Sequence, residues 1–130
     1  LELEPFAARL AAERATPDEL AAMQALLSDS EAVLATGDHG QLIQLDHHAH
    51  ALLAQAAHNE FLEEALDRLY SHVLRLWYVS LHKVSRLREA IAAHRAVVDA
   101  VQARDGERAA GVMRAHVAGF QSEFVGATGP

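Results

Sequence analysis

Asp46 and His50 stand four residues apart in the run Leu45-Asp46-His47-His48-Ala49-His50, which carries helical patterning. Side chains at i and i+4 of a helix share a face, with Cβ atoms about 5–6 Å apart, so both can reach one ion. His47 and His48 between them point elsewhere. Two further histidines flank Asp105-Gly106: His94 lies 11 residues before Asp105, and His116 lies 10 after Gly106. If that dipeptide turns a helical hairpin, a rise of about 1.5 Å per residue places both about 15–16 Å from the turn, level on antiparallel helices. Phase agrees, because His94 follows Leu87, Ala90 and Ile91 on an apolar stripe and His116 follows Val112 and Met113.

Imidazole nitrogens and a carboxylate oxygen are borderline ligands that suit zinc, nickel, iron or manganese, with zinc the common default. Asp46 adds one negative charge against a divalent ion, which eases desolvation of the site. Three histidines and one aspartate leave coordination positions open to water or a small carboxylate. Plainer readings compete. An Asp-x-x-x-His pair can be a surface hydrogen bond, and a histidine on an apolar face can simply fill a core. Spacing alone leaves these open. The other six histidines (His39, His47, His48, His58, His72 and His82) are expected at the surface or at helix ends, with His72 also a candidate to line a pocket.

Helices must position these groups. Thr16-Pro17-Asp18-Glu19 carries a capping box with proline at the first helical position. Leu3, Phe6, Ala7 and Leu10 repeat at helical spacing before it; Leu20, Met23, Leu26, Leu27, Val33 and Leu34 repeat after it, up to Gly37. A third helix is expected from Asp38–Gly40 to about His58. Asn59 should cap a fourth, through Leu62, Leu66, Leu69, Val73, Leu76 and Trp77. A break is expected near Ser80–Ser85, with Ser85 capping a fifth helix to about Arg104. A sixth should run from Glu107 to about Val125, and residues 126–130 should fray. No strand candidate, internal repeat or dividing linker emerges. Antiparallel helices joined by short loops predict an all-α antiparallel bundle in one domain.

Composition sets outer limits. The chain has 130 residues, 51% of them hydrophobic and only 5% aromatic, which favours helices over strands. A net charge of −7 opposes phosphate backbones and anionic membrane surfaces. The absence of cysteine excludes disulfides, thiolate metal sites and cysteine nucleophiles, and it fits a cytoplasmic location. No apolar run reaches the roughly 18 residues of a membrane span. The chain opens without Met inside a helical pattern, which predicts a piece of something longer.

The run from Leu45 to Asn59 resembles the FCD domain, the C-terminal effector-binding part of FadR-type regulators in the GntR superfamily. Ala93-His94-Arg95-Ala96-Val97-Val98-Asp99-Ala100, Arg104-Asp105, Ala109-Ala110 and Met113-Arg114-Ala115-His116 resemble it more closely, as does Leu10-Ala11-Ala12-Glu13-Arg14-Ala15-Thr16. The likeness covers roughly residues 1–125. It implies an antiparallel bundle of six or seven helices, in which Asp46, His50, His94 and His116 match the family's metal ligands one for one. It implies zinc or nickel beside a pocket for a small organic acid, a homodimer, and DNA contact only through an N-terminal winged helix-turn-helix domain not included in this chain. Ala49 stands where the family often has an aromatic residue and Ala93 where it often has Glu, which changes the pocket but removes no ligand.

The expected mechanism is a carboxylate effector on an open metal position, held by Arg75. This residue shares a stripe with Arg68 and His72 that breaks an otherwise apolar fourth helix, although the stripe could equally face solvent. The main rival is a metal-dependent hydrolase, since bound metal can activate water. That would need a general base near the ion, and no His-Glu-x-x-His or comparable arrangement is present. Glu63 and Glu64 are explained by the helix dipole at the start of the fourth helix. A third reading is a helical interaction domain with no metal.

Overall fold

The computed structural model of the chain describes residues 2–79 and 84–128, and among them no strand occurs. Six α-helices follow one another: α1 Leu3–Arg14, α2 Pro17–Thr36, α3 His39–Ala56, α4 Glu60–Val79, α5 Val84–Gln102 and α6 Gly106–Thr128. This is the expected all-α bundle, with six helices.

The helix starts are written in the chain. Thr16 Oγ1 accepts from the Glu19 amide at 3.2 Å while Glu19 Oε1 accepts from the Thr16 amide at 2.8 Å. Asp38 and Gln41 repeat this reciprocal capping at α3, at 2.8 and 3.2 Å. Asn59 Oδ1 accepts from Leu62 N to begin α4, and Asp105 Oδ1 accepts from Arg108 N to begin α6. The expected break before α5 falls mainly on 80–83, outside the described residues. Ser85 lies within α5, which is helical from Val84, rather than before it. α6 runs on to Thr128 instead of ending near Val125.

The turn after α5 closes differently from the expectation that Asp105-Gly106 makes it. Arg104 takes the left-handed conformation, with φ of 59°. Its amide donates to the Val101 carbonyl, and the Asp105 amide donates to the Ala100 carbonyl, both at 3.0 Å. That pair of bonds satisfies carbonyls at the end of α5 that the helix itself leaves open. Gly106 is simply the first residue of α6.

α3 and α5 run through the middle of the bundle. α1 packs on α6, α3 and α5, α2 covers α3 and α5, and α4 lies on α3 with a lighter contact to α1. Small residues make the closest packing possible: Ala8, Ala11, Ala12 and Ala15 of the first helical unit meet Val97, Val101, Ala109 and Met113 in one core cluster. A second cluster joins Leu42 and Ile43 of α3 to Leu87 and Ile91 of α5. Between these two apolar clusters the interior turns polar.

Candidate metal centre

The inward stripe of α3 runs Leu42, Ile43, Asp46, His50 and Leu53, and all but His50 are buried outright. Helical phase therefore carries a carboxylate into the core. On α5 the buried stripe Leu87, Ile91, His94, Val98 and Val101 does the same for an imidazole. His116 follows Ala109 and Met113 along α6 and is partly covered. The side chains of Asp46, His94 and His50 are 3%, 7% and 14% exposed, so the group sits almost out of water.

The four residues come together. One ring nitrogen each from His50, His94 and His116 lies within 4.8 Å of the other two. Ring centroids are 5.6 Å apart for His50 and His94, 5.9 Å for His94 and His116, and 6.1 Å for His50 and His116. His94 of α5 and His116 of α6 thus stand side by side. Asp46 Oδ1 lies 3.0 Å from His94 Nε2 and 3.6 Å from His50 Nε2.

The 3.6 Å contact is too long for a hydrogen bond, and the 3.0 Å contact is not aligned as one. Asp46 Oδ1 and His94 Nε2 are both buried and neither has an aligned hydrogen-bond partner among the described residues. Native interiors rarely leave such atoms unmatched. Two polar atoms that crowd together without aiming at each other fit donors aimed at a common third centre. A carboxylate and three imidazoles match the oxygen and nitrogen preferences of zinc or nickel. The residues present fit a divalent ion.

Two residues outside the expected set complete the surroundings. Tyr70 of α4 donates its hydroxyl to Asp46 Oδ2. Burial, followed by the negative charge of Asp46, drives the Tyr70 hydroxyl far above its ordinary pKa, so it stays a donor. Glu4 of α1 places Oε1 3.4 Å from His50 Nδ1. His47 is exposed, as expected, and its ring stacks on Tyr70 at 5.1 Å with an 8° interplanar angle.

Electrostatics of the metal-free site follow from burial set against pairing. Burial pushes Asp46 upward, yet the charge of His50 and the contacts with His50 and His94 outweigh it and hold the carboxyl well below its usual value. Burial disfavours a charged His50, but Glu4 and Asp46 on either side raise it well above the ordinary histidine value. His116 is pushed down to about 4, first by burial and then by the neighbouring His50 and His94.

A cavity of about 530 Å³ adjoins the centre, with His50, Tyr70, His47 and Met113 in its wall. Five carboxylates also line it: Glu4, Glu60, Glu63, Glu64 and Asp67. Glu63 and Glu64 therefore line this space, and only Glu63 of the two stands in the first turn of α4, where the helix dipole favours it. None of the described lining residues is Lys or Arg. Arg75 and His72 lie exposed further along α4, outside that lining. Arg68 is likewise exposed, at 78% of its side chain.

A family model of the FCD domain matches residues 1–119. The chain belongs to the FCD domain family. Among solved structures, this FCD domain is similar to Streptococcus agalactiae GntR at 27% identity and a TM-score of 0.67, over 92% of this chain and 52% of that one. It shares its fold with E. coli McbR/YncC at 24% identity and a TM-score of 0.76, over 93% of this chain and 61% of that one. The chain thus spans about half to three-fifths of the length of these two structures. A comparison with curated proteins returns no match. FCD domains are ligand-sensing regulatory domains of GntR-family transcription regulators, which are not enzymes, and some of them bind metals. No helix among the described residues is long and apolar enough to cross a membrane.

Proposed function

We propose that this FCD domain senses a small organic acid through a divalent ion, zinc or nickel, held by Asp46, His50, His94 and His116. The supporting observation is the convergence of these side chains from three helices, with Asp46 Oδ1 and His94 Nε2 buried and unmatched among the described residues. The ion would supply a Lewis-acidic position that one carboxylate oxygen can occupy. The domain would act in a cytoplasmic homodimer, and any contact with DNA would fall to a separate N-terminal winged helix-turn-helix domain.

Effector binding would favour one arrangement of the bundle over another, and only by as much as its affinity differs between them. The acid-rich cavity wall narrows the effector. A second or third carboxylate would meet Glu60, Glu63, Glu64 and Asp67, and like charges close together repel. Monocarboxylates should therefore bind better than dicarboxylates or tricarboxylates of similar size. Arg75, with His72 beside it, is the proposed outer contact of the effector. If Arg75→Ala leaves effector affinity unchanged, recognition rests on the ion and the cavity alone.

The deciding experiment is metal analysis of protein purified without chelators, followed by zinc and nickel titration of stripped wild type, His50→Ala and His94→Ala. Near-stoichiometric binding lost in both variants is expected. Equal binding by wild type and variants, or no binding by wild type, would overturn the metal reading.

A further inference from the structure

We propose that Glu4 is a positioning residue for the metal centre, and that through it metal loading fastens α1 to the bundle. This rests on the metal reading given above. The two nitrogens of His50 face different neighbours. Nε2 looks inward toward Asp46 Oδ1 at 3.6 Å, and Nδ1 looks toward Glu4 Oε1 at 3.4 Å. A metal-binding imidazole keeps one N–H, and the group that accepts from it decides which nitrogen is free to ligate. A carboxylate 3.4 Å from Nδ1, an ion-pair contact, favours a proton on that nitrogen and would leave Nε2 for an ion.

The placement of Glu4 is costly without such a partner. Its side chain is only 21% exposed. It stands one turn before Ala7 and Ala8, at the head of a stripe that continues through Ala11 into the core. A largely covered carboxylate in a wall of other carboxylates needs a paired or hydrogen-bonding group, and among the described ion pairs Glu4 meets His50. The inward face of α1 is otherwise apolar, and its part-buried directional ties, Arg14 to the Ala57 carbonyl and Arg104 to the Ala12 carbonyl, lie at its C-terminal end. The exposed contacts Arg9–Glu107 and Arg114–Glu2 link α1 to α6 at the surface, where ion pairs contribute little. Glu4–His50 instead links the interior of α1 to α3. When an ion holds Nε2, the ring is fixed at its inner edge, and Glu4 at its outer edge is fixed with it.

The test compares wild type, Glu4→Gln and Glu4→Ala. The readouts are zinc affinity by competition with a chelator, the protonation pattern of His50 nitrogens by NMR, and hydrogen exchange of α1 amides with and without zinc. We expect zinc affinity to fall roughly 10- to 100-fold in Glu4→Ala. Glu4→Gln keeps an oxygen acceptor for Nδ1–H and should recover part of that loss. Zinc should slow exchange along α1 in wild type and much less in Glu4→Ala. If Glu4→Ala fails to fold, the Gln variant carries the test, with reduced zinc affinity and an altered His50 signature at an unchanged fold. Wild-type affinity and α1 protection in the variants would overturn the proposal and leave the metal reading standing. No zinc binding by wild type would overturn both.

Discussion

Burial and charged neighbours shift Asp46, His50 and His116, and this gives the site a definite pH behaviour. His50 is raised above its ordinary value by Glu4 and Asp46 against the effect of burial, so without metal its protonated form is favoured. An ion held by His50 would have to displace that proton. Calorimetric titration at pH 7 in buffers of different ionisation enthalpy should show protons released on zinc binding, and binding with no proton release would contradict the assignment of His50. His116 behaves oppositely. Its folded value is about 4, below the unfolded value of about 6.5, so between these limits the unfolded chain binds more protons. Stability of the metal-free protein should therefore fall as pH drops from about 6.5 toward 4. The contribution of His50, being that of a raised group, is fully present throughout that window and is lost only as pH rises through its folded value. Melting temperatures in chelator across this range should slope for wild type and flatten for His116→Gln. Tyr70 makes its own contribution by donating to Asp46 Oδ2. Tyr70→Phe keeps the ring that stacks on His47 and removes only the donor, and it should weaken zinc binding about 10-fold.

Among the helices, a recurring device is an arginine from one element satisfying carbonyls at the end of another. Arg14 of α1 donates to the Ala57 and His58 carbonyls after α3, at 3.1 and 3.4 Å. Arg88 of α5 donates to Leu34 and Gly37 at the end of α2, and Arg104 donates to Ala12 near the end of α1. The last four carbonyls of a helix have no partner within it and carry partial negative charge, so a cation there both completes hydrogen bonds and meets the dipole. These contacts join elements that alanine packing alone would leave free to slide. Arg14→Ala or Arg88→Ala should cost about 1.5–3 kcal/mol, the usual range for a hydrogen bond to a charged group. Urea denaturation with unchanged slope would read that loss directly, and a change below a few tenths of a kcal/mol would rule out the capping role.

At the scale of the whole molecule, the centre joins α3, α5 and α6 through proposed ligands, with α4 added through Tyr70 and α1 through Glu4. Ligation would tie most of the bundle together at one point. An ion that binds only the folded state stabilises it by about 2.7 kcal/mol at 100 times its dissociation constant, which for a domain of this size is a rise of roughly 10 °C in melting temperature. Thermal melts with zinc and with chelator should differ by that order in wild type and coincide in His94→Ala. A shift retained in the variant would mean the ion binds elsewhere, among the many other surface histidines and carboxylates.

What the chain alone determines is local. Helix starts are legible because caps such as Thr16, Asp38 and Asn59 act within three residues. Asp46 with His50 is legible because a helix repeats every 3.6 residues, and His94 with His116 because a hairpin places equal arm lengths side by side. The turn at Arg104 escapes this reading because a left-handed arginine has no distinctive local signature, unlike glycine. Glu4 and Tyr70 escape it for a different reason. Glu4 does stand on the stripe of Ala7, Ala8 and Ala11, and Tyr70 on that of Leu62 and Leu66, so their inward faces have a signal. Their shared target has none, because only the packing of α1 and α4 on α3 decides that one meets His50 and the other Asp46. The same packing decides that the cavity wall is acidic and that Arg75 stands outside it, since backbone periodicity says which face a residue takes but not which neighbour covers it.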